Sequence, residues 1–211
     1  MSSDRFAPPA TEPSRATIAD ALTAFDVRPS DLGGRRAAAV VVAVGHDPDG
    51  RLATLLTRRV DRMRAHPGQF ALPGGRVDDG ETAQAAALRE LHEELAIEAT
   101  PEDVLGKLDD YVTRSGYVMS PFVVWVGDRL AAAIPNPTEV AELYTPTMAE
   151  VDVDPRFVTI PESERPVVQW PFRGFFIHAP TGAVVYQFRE VVLHRRATRI
   201  DGLEQPVFAW R

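Results

Sequence analysis

Cysteine is absent from the 211-residue sequence. Disulfides, thiolate metal sites and a cysteine nucleophile are therefore excluded. Lysine is almost absent too: Lys107 stands alone, and the remaining positive charge is arginine. We read that bias as the coding composition of a GC-rich genome, not as function. No apolar run approaches the roughly 20 residues needed to cross a bilayer. The N-terminal MSSDRFAPPATEPSRAT holds no continuous hydrophobic stretch, so no secretory signal is expected and the expected location is cytoplasmic. The five histidines, His46, His66, His92, His178 and His194, lack zinc-site spacing. A positive balance is missing as well. The formal net charge of -7 argues against nucleic acid or an anionic membrane as the main partner. It leaves room for a polyanionic small molecule, because a bound cation reverses the local sign.

What is present suits one globular domain, with 45% apolar and 25% charged residues. Residues 1–15, rich in Pro, Ser, Ala and Thr, are expected as a disordered tail, and residues 16–211 as a single domain. Residues 16–27 carry Ile18, Ala21, Leu22 and Phe25 at helical spacing. The valine run of residues 35–47 predicts a buried strand. DPDG then predicts a turn and residues 51–59 a second strand, completing a hairpin. Residues 69–75 read as a short strand ending at Pro-Gly-Gly. Residues 82–95 read as a helix with Ala85, Leu88, Leu91 and Leu95 as its apolar face. Strands are expected within 105–113 and 117–127, and a loop, a strand and a helix start over 134–151. Residues 174–199 read as a hairpin around PTG followed by a terminal helix. Strands mixed with a few helices give an α/β or α+β sandwich.

The helix after the double glycine poses a problem. Glu90, Glu93 and Glu94 fall on one face, which reads as exposed, and their mutual repulsion costs a few tenths of a kcal/mol per pair. A solvated helix surface tolerates such a set. A divalent cation would instead turn it into a set of hard oxygen ligands suited to Mg²⁺ or Mn²⁺. Gly74 and Gly75 just upstream let the backbone approach a metal or phosphate closely.

The run Gly75, Glu81, Arg89, Glu90, Leu91, His92, Glu93, Glu94, Leu95, Ala96, Ile97 resembles the Nudix box (75–97). Every fixed position matches except the last glycine, here Ala96, which we expect to leave the helix by a slightly different exit. The resemblance implies the Nudix fold, a mixed β-sheet sandwiched between α-helices. It also implies metal-dependent hydrolysis of a nucleoside diphosphate linked to another group. Carried over, Glu93 and Glu94 would be the principal ligands and Glu90 a further ligand or the residue that activates water. The Gly74 carbonyl would complete the coordination, Arg89 would orient the glutamates, and Glu81 would help fix the loop. A later glutamate often approaches the metals in this family. Glu139 is favoured over Glu142, beside its plain reading as a loop residue. The family resemblance allows a homodimer, although no interface is legible.

Residues 55–75 carry Arg58, Arg59, Arg62 and Arg64, which suit a substrate with several phosphates as well as a polar surface. Leu55, Leu56, Thr57, Arg59, Arg64, Gly68, Pro73, Gly74 and Gly75 resemble the additional signature of the coenzyme A pyrophosphatases, with departures at Val60 and Leu72. That resemblance implies cleavage of coenzyme A or its thioesters to 3′,5′-ADP and 4′-phosphopantetheine or its acyl form. Arg59, Arg64, Gly68 and Gly75 would hold the substrate. The resemblance spans residues 37–155 and weakens beyond, where residues 184–196 lack the subfamily's Trp-Gly-rich pattern. ADP-ribose, a dinucleotide or a nucleoside triphosphate are alternative substrates, and a binding module without turnover is the reading from another class. Ser115 is expected in a turn, and Trp125, Trp170 and Trp210 are expected to pack.

Overall fold

The computed structural model describes residues 12–60 and 68–210. The expectation for residues 1–11 lies outside those residues, as do Arg62, Arg64 and His66. Residues 12–15 do not belong to a tail. Ser14 caps helix α1 (Arg15–Thr23) through a capping box, and the Glu12 carboxylate accepts a hydrogen bond from the Leu52 amide at 3.2 Å.

Strand β1 (Arg36–His46) is the axis of the molecule. It is buried over nearly its whole length, as the valine run requires. A turn at Asp47–Gly50 returns the chain antiparallel as β2 (Leu52–Thr54). The expected second strand breaks at Leu55. Beyond it, β3 (Leu56–Arg59) joins a different sheet, with β4 (Phe70–Ala71). The chain re-enters the main sheet as β5 (Gly74–Arg76), antiparallel to β1, so residues 69–75 serve two sheets rather than one strand.

Helix α2 (Ala83–Leu95) follows, N-capped by Thr82. Its buried residues are Ala86, Ala87, Leu91, Glu94 and Leu95. Ala85, expected inside, is exposed, so the buried stripe is rotated by about one residue from the expected one. Strands β6 (Val104–Lys107), β7 (Tyr111–Val112) and β8 (Tyr117–Gly127) come next, with β8 parallel to β1 along almost its full length. Strand β9 (Val140–Tyr144) pairs with β3, and α3 (Met148–Val151) ends that segment.

Alternation along β1 divides the core. Val40, Val42 and Val44 join α1 and the C-terminal helix in one cluster. Ala39, Val41 and Ala43 join Ala86, Ala87, Leu91 and Leu95 of α2 in another. The result is a three-layer sandwich, as the sequence predicts. Among the described residues, no helix is long and apolar enough to cross a membrane.

The last third departs from the expected pattern. Strands β10 (Arg156–Ile160), β11 (Ser163–Phe172) and β12 (Phe175–His178) form a meander, and its second turn is at Arg173–Gly174 rather than PTG. PTG instead opens helix α4 (Thr181–Phe188), which continues as a π-helical turn over Arg189–Leu193. Residues 194–210 form no long helix. Gln187 of α4 is wholly buried and clasps Asp109 twice: its amide oxygen accepts from the Asp109 N–H at 3.0 Å, and its amide nitrogen donates to the carboxylate at 2.8 Å. Arg199 completes the clasp at 2.9 Å from the same carboxylate. Trp170 packs in the core as expected.

Candidate active site

The N-terminal half of α2 is anchored through Arg89. Its Nε and one terminal nitrogen bond both oxygens of Glu81, at 3.0 and 3.1 Å. Its other terminal nitrogen bonds Glu90 and Glu93, each at 2.9 Å, and the Arg76 carbonyl accepts a further bond at 3.0 Å. One planar guanidinium thus ties the glycine loop to the acidic face. The Arg89 bond and the Asp78 amide hold Glu81 below the usual carboxylate range. Burial pushes Glu90 up against the pull of Arg89, and Glu93 and Glu139 push in the same direction.

The acidic face is not the exposed face expected from the sequence. Glu93 is half exposed, but Glu94 is 2% exposed and one of its oxygens has no hydrogen-bond partner. Burial pushes its carboxyl up to about 8; Arg59, at 3.8 Å, and the Gly74 amide pull down, while Glu90 and Glu139 push further up. Helical spacing locates Glu94 beside Glu90. It cannot reveal that β3 and the loop before β9 roof over this turn of the helix.

Glu139 arrives from far along the chain. The amides of Ile134 and Asn136 donate to the Leu95 and Glu94 carbonyls at 2.9 and 2.8 Å, covering the C-terminal end of α2. The Val60 amide donates to the Glu139 carbonyl at 3.1 Å. These bonds bring Glu139 close enough to raise both Glu90 and Glu94. Glu142 is engaged elsewhere, with Arg58 at 2.8 Å and with the Tyr144 hydroxyl.

The glycines fit against these groups. A Cβ on Gly75 would run into the Glu90 carboxylate, and one on Gly74 would run into the β1 backbone at Ala39 and Val40. Gly68 takes φ +65°, and its carbonyl accepts from Arg58 Nε at 3.2 Å. Ala96 ends α2 at φ 54° and ψ 27°, the left-handed conformation itself, so the expected alternative exit is not used. Among the described residues, no three acid or imidazole groups are already gathered around one point at ligand distance. Arg89 instead engages Glu90 and Glu93.

Next to this cluster opens a cavity of about 490 Å³, with Arg59, Gly74 and Gly75 among its lining. Its lining also draws on β12 and the C-terminal segment, including Phe176, His178, Gln205 and Phe208. Sequence reasoning did not select these residues. Nothing in the sequence separates these phenylalanines from core ones; their exposure is visible only in the structure.

A glycine loop, an arginine hub and a buried acidic face are thus assembled on a sandwich, and residues 34–170 match the family model described as NUDIX domain. The chain belongs to the Nudix family. Curated Nudix relatives include the uncharacterized Nudix hydrolase NudL of Yersinia pestis (strain Pestoides F), 44% identical over 113 residues, or 52% of this chain and 54% of the relative. NudL of Yersinia pseudotuberculosis serotype O:1b matches to the same degree, with 44% identity over 113 residues, 52% of this chain and 54% of the relative. The chain spans about half the length of the curated relatives it matches. Among solved structures, a MutT/nudix family protein from Enterococcus faecalis superposes with TM-score 0.51 at 14% identity, over 76% of this chain and 61% of that one. At that identity, the likeness to a Nudix structure speaks to fold and not to substrate.

Proposed function

We propose that the chain is a divalent-metal-dependent hydrolase of the diphosphate bond in a nucleoside diphosphate derivative, with coenzyme A or its thioesters as the substrate. One observation carries the hydrolase reading: a buried Glu94 carboxylate with an orphaned oxygen, set beside Glu90 and Glu139. Leaving that oxygen without a partner on an ionised, buried group is costly, and a hard cation removes the cost. Membership of the Nudix family supports the same reading. The coenzyme A assignment rests on the motif over residues 55–75.

Glu94 and Glu93 would be the principal ligands, with Glu90 a further ligand or the group that activates water, and with the Gly74 carbonyl beside them. Bound there, Mg²⁺ or Mn²⁺ would neutralise diphosphate charge and lower the pKa of water. Glu93 must leave Arg89 to take part, and Glu90 and Glu81 would keep the guanidinium anchored meanwhile. Arg89 orients the acids. Glu139 is near enough to raise both Glu90 and Glu94, whereas Glu142 is held by Arg58, and Glu139 is the favoured general base. Arg59 faces both Glu94 and the cavity and would bind a phosphate; Gly75 leaves room for Glu90, and Gly68 shapes the strand entry. Arg64, outside the described residues, is proposed from the motif alone as a further phosphate ligand.

The test is hydrolysis of coenzyme A, acetyl-coenzyme A, ADP-ribose, NADH and dATP with Mg²⁺ or Mn²⁺, with products separated by chromatography. We expect 3′,5′-ADP from coenzyme A at the highest kcat/KM. We expect Glu94→Gln to lose several orders of magnitude in turnover while keeping its fold by circular dichroism. A higher kcat/KM on another compound would overturn the coenzyme A assignment, and full activity in the variant would overturn the metal site.

A further inference from the structure

The cavity is larger than a diphosphate needs, and half of its wall has no part in the acidic chemistry. That wall lies beyond residue 170, where the family match ends. It is firmly built. Glu204 is buried, pairs with Arg114 and accepts from Ser163 at 2.9 Å, and these bonds hold its carboxyl down at about 2. The Arg114 amide donates to the Gln205 side chain at 2.6 Å, and the Trp210 indole N–H donates to the Gln205 carbonyl at 2.8 Å. This anchored segment nevertheless leaves Phe208 63% exposed at the cavity, which Phe176, 40% exposed, also lines.

An exposed phenyl ring on a rigid support is a stacking surface without a partner. Arg156 lies over the Phe176 ring at 4.7 Å, and His178 and Phe208 form a T-shaped pair at 5.5 Å, while most of the Phe208 side chain stays exposed. The residues of this wall that line the cavity include no acid, lysine or arginine, and burial keeps His178 toward its neutral form. Thr113 and Ser115, whose hydroxyls bond each other at 3.1 Å, also line the cavity. The charged residues that line the cavity, Arg59 and Arg76, adjoin the glycine loop.

We infer that Phe208 and Phe176 form the recognition site for the nucleobase of the substrate, a flat uncharged ring entering the cavity while its phosphates stay at the glycine loop. The inference rests on the hydrolase reading for the phosphates' direction, but it concerns residues outside the acidic cluster. Base–aromatic stacking is tolerant of base identity, so the site selects a nucleoside over a bare sugar phosphate more strongly than one base over another.

The experiment measures equilibrium binding of the four nucleoside 5′-monophosphates and of ribose 5-phosphate to the full chain by calorimetry. At least one nucleotide should bind about tenfold or more tightly than ribose 5-phosphate. Phe208→Ala should remove most of that preference, and Phe208→Trp should keep it. Phe208 is exposed, so neither variant is expected to disturb the fold. Equal binding of nucleotides and ribose 5-phosphate would overturn the inference, as would a preference unchanged in both Phe208→Ala and Phe176→Ala. If no diphosphate is hydrolysed yet the Phe208-dependent preference is present, the hydrolase reading fails and the base site stands. If hydrolysis proceeds with KM indifferent to Phe208, the base site fails and the hydrolase reading stands.

Discussion

Ala96 holds a conformation that suits glycine. At φ 54° its Cβ crowds the following carbonyl, a strain of about 1–2 kcal/mol for an L-residue. The position is exposed, and its amide already closes the helix on the His92 carbonyl at 2.8 Å. Replacing Ala96 with glycine should relieve the strain and cost some unfolded-state entropy, for a net gain of about 1 kcal/mol. Urea unfolding at neutral pH should show a higher midpoint with an unchanged slope; a lowered midpoint would contradict the account. The sequence showed that the family glycine was missing. It could not show that the helix would keep its exit and accept the strain, because that choice is made by Ile97 and the loop packed beyond it, not by residue 96.

At the scale of elements, the box was legible because its logic is local. Glu81, Arg89 and Glu90 lie within one loop and helix, where spacing alone fixes neighbours. Burial of Glu94 was not legible, because its cover comes from β3 and from the loop before β9, about forty residues downstream in the chain. The misread C-terminal region has the same cause: Gly182 and Pro180 look like turn residues, but α4 starts there because Val184, Val185 and Phe188 find the sheet. The two glycines of the loop now separate into different roles. Gly75→Ala puts its methyl against the movable Glu90 carboxylate, so hydrolysis should fall by about 10²-fold with a nearly unchanged thermal midpoint. Gly74→Ala meets the fixed backbone of β1, so it should lower the midpoint as well. Parallel thermal melts and activity assays distinguish the two, and equal midpoints for both variants would refute the contrast.

For the whole molecule, the acidic cluster should make stability depend on pH and on cations together. Glu94 is shifted up from its ordinary value of 4.5 to about 8 by burial. The folded state therefore binds more protons than the unfolded state between those values, and stability falls as pH rises through that window. Without divalent cations, denaturation midpoints should decline from about pH 5 to pH 8. Millimolar Mg²⁺ or Mn²⁺ should flatten the decline, and Glu94→Gln should remove most of both the decline and the response, leaving the share of the raised Glu90. A flat profile in the cation-free wild type would contradict the buried, ionisable Glu94.

The clasp between Gln187 and Asp109 bears on how such a protein could be re-engineered. The C-terminal segment supplies the aromatic wall, so exchanging it with a relative's looks like a direct route to a new substrate. Yet Gln187 leaves the core in that exchange, and Asp109 would then face the interior with its amide and its carboxylate both short of a partner. A graft would have to carry position 109 along with the wall. The wall in this chain is inherited with the core and cannot be swapped as a cassette.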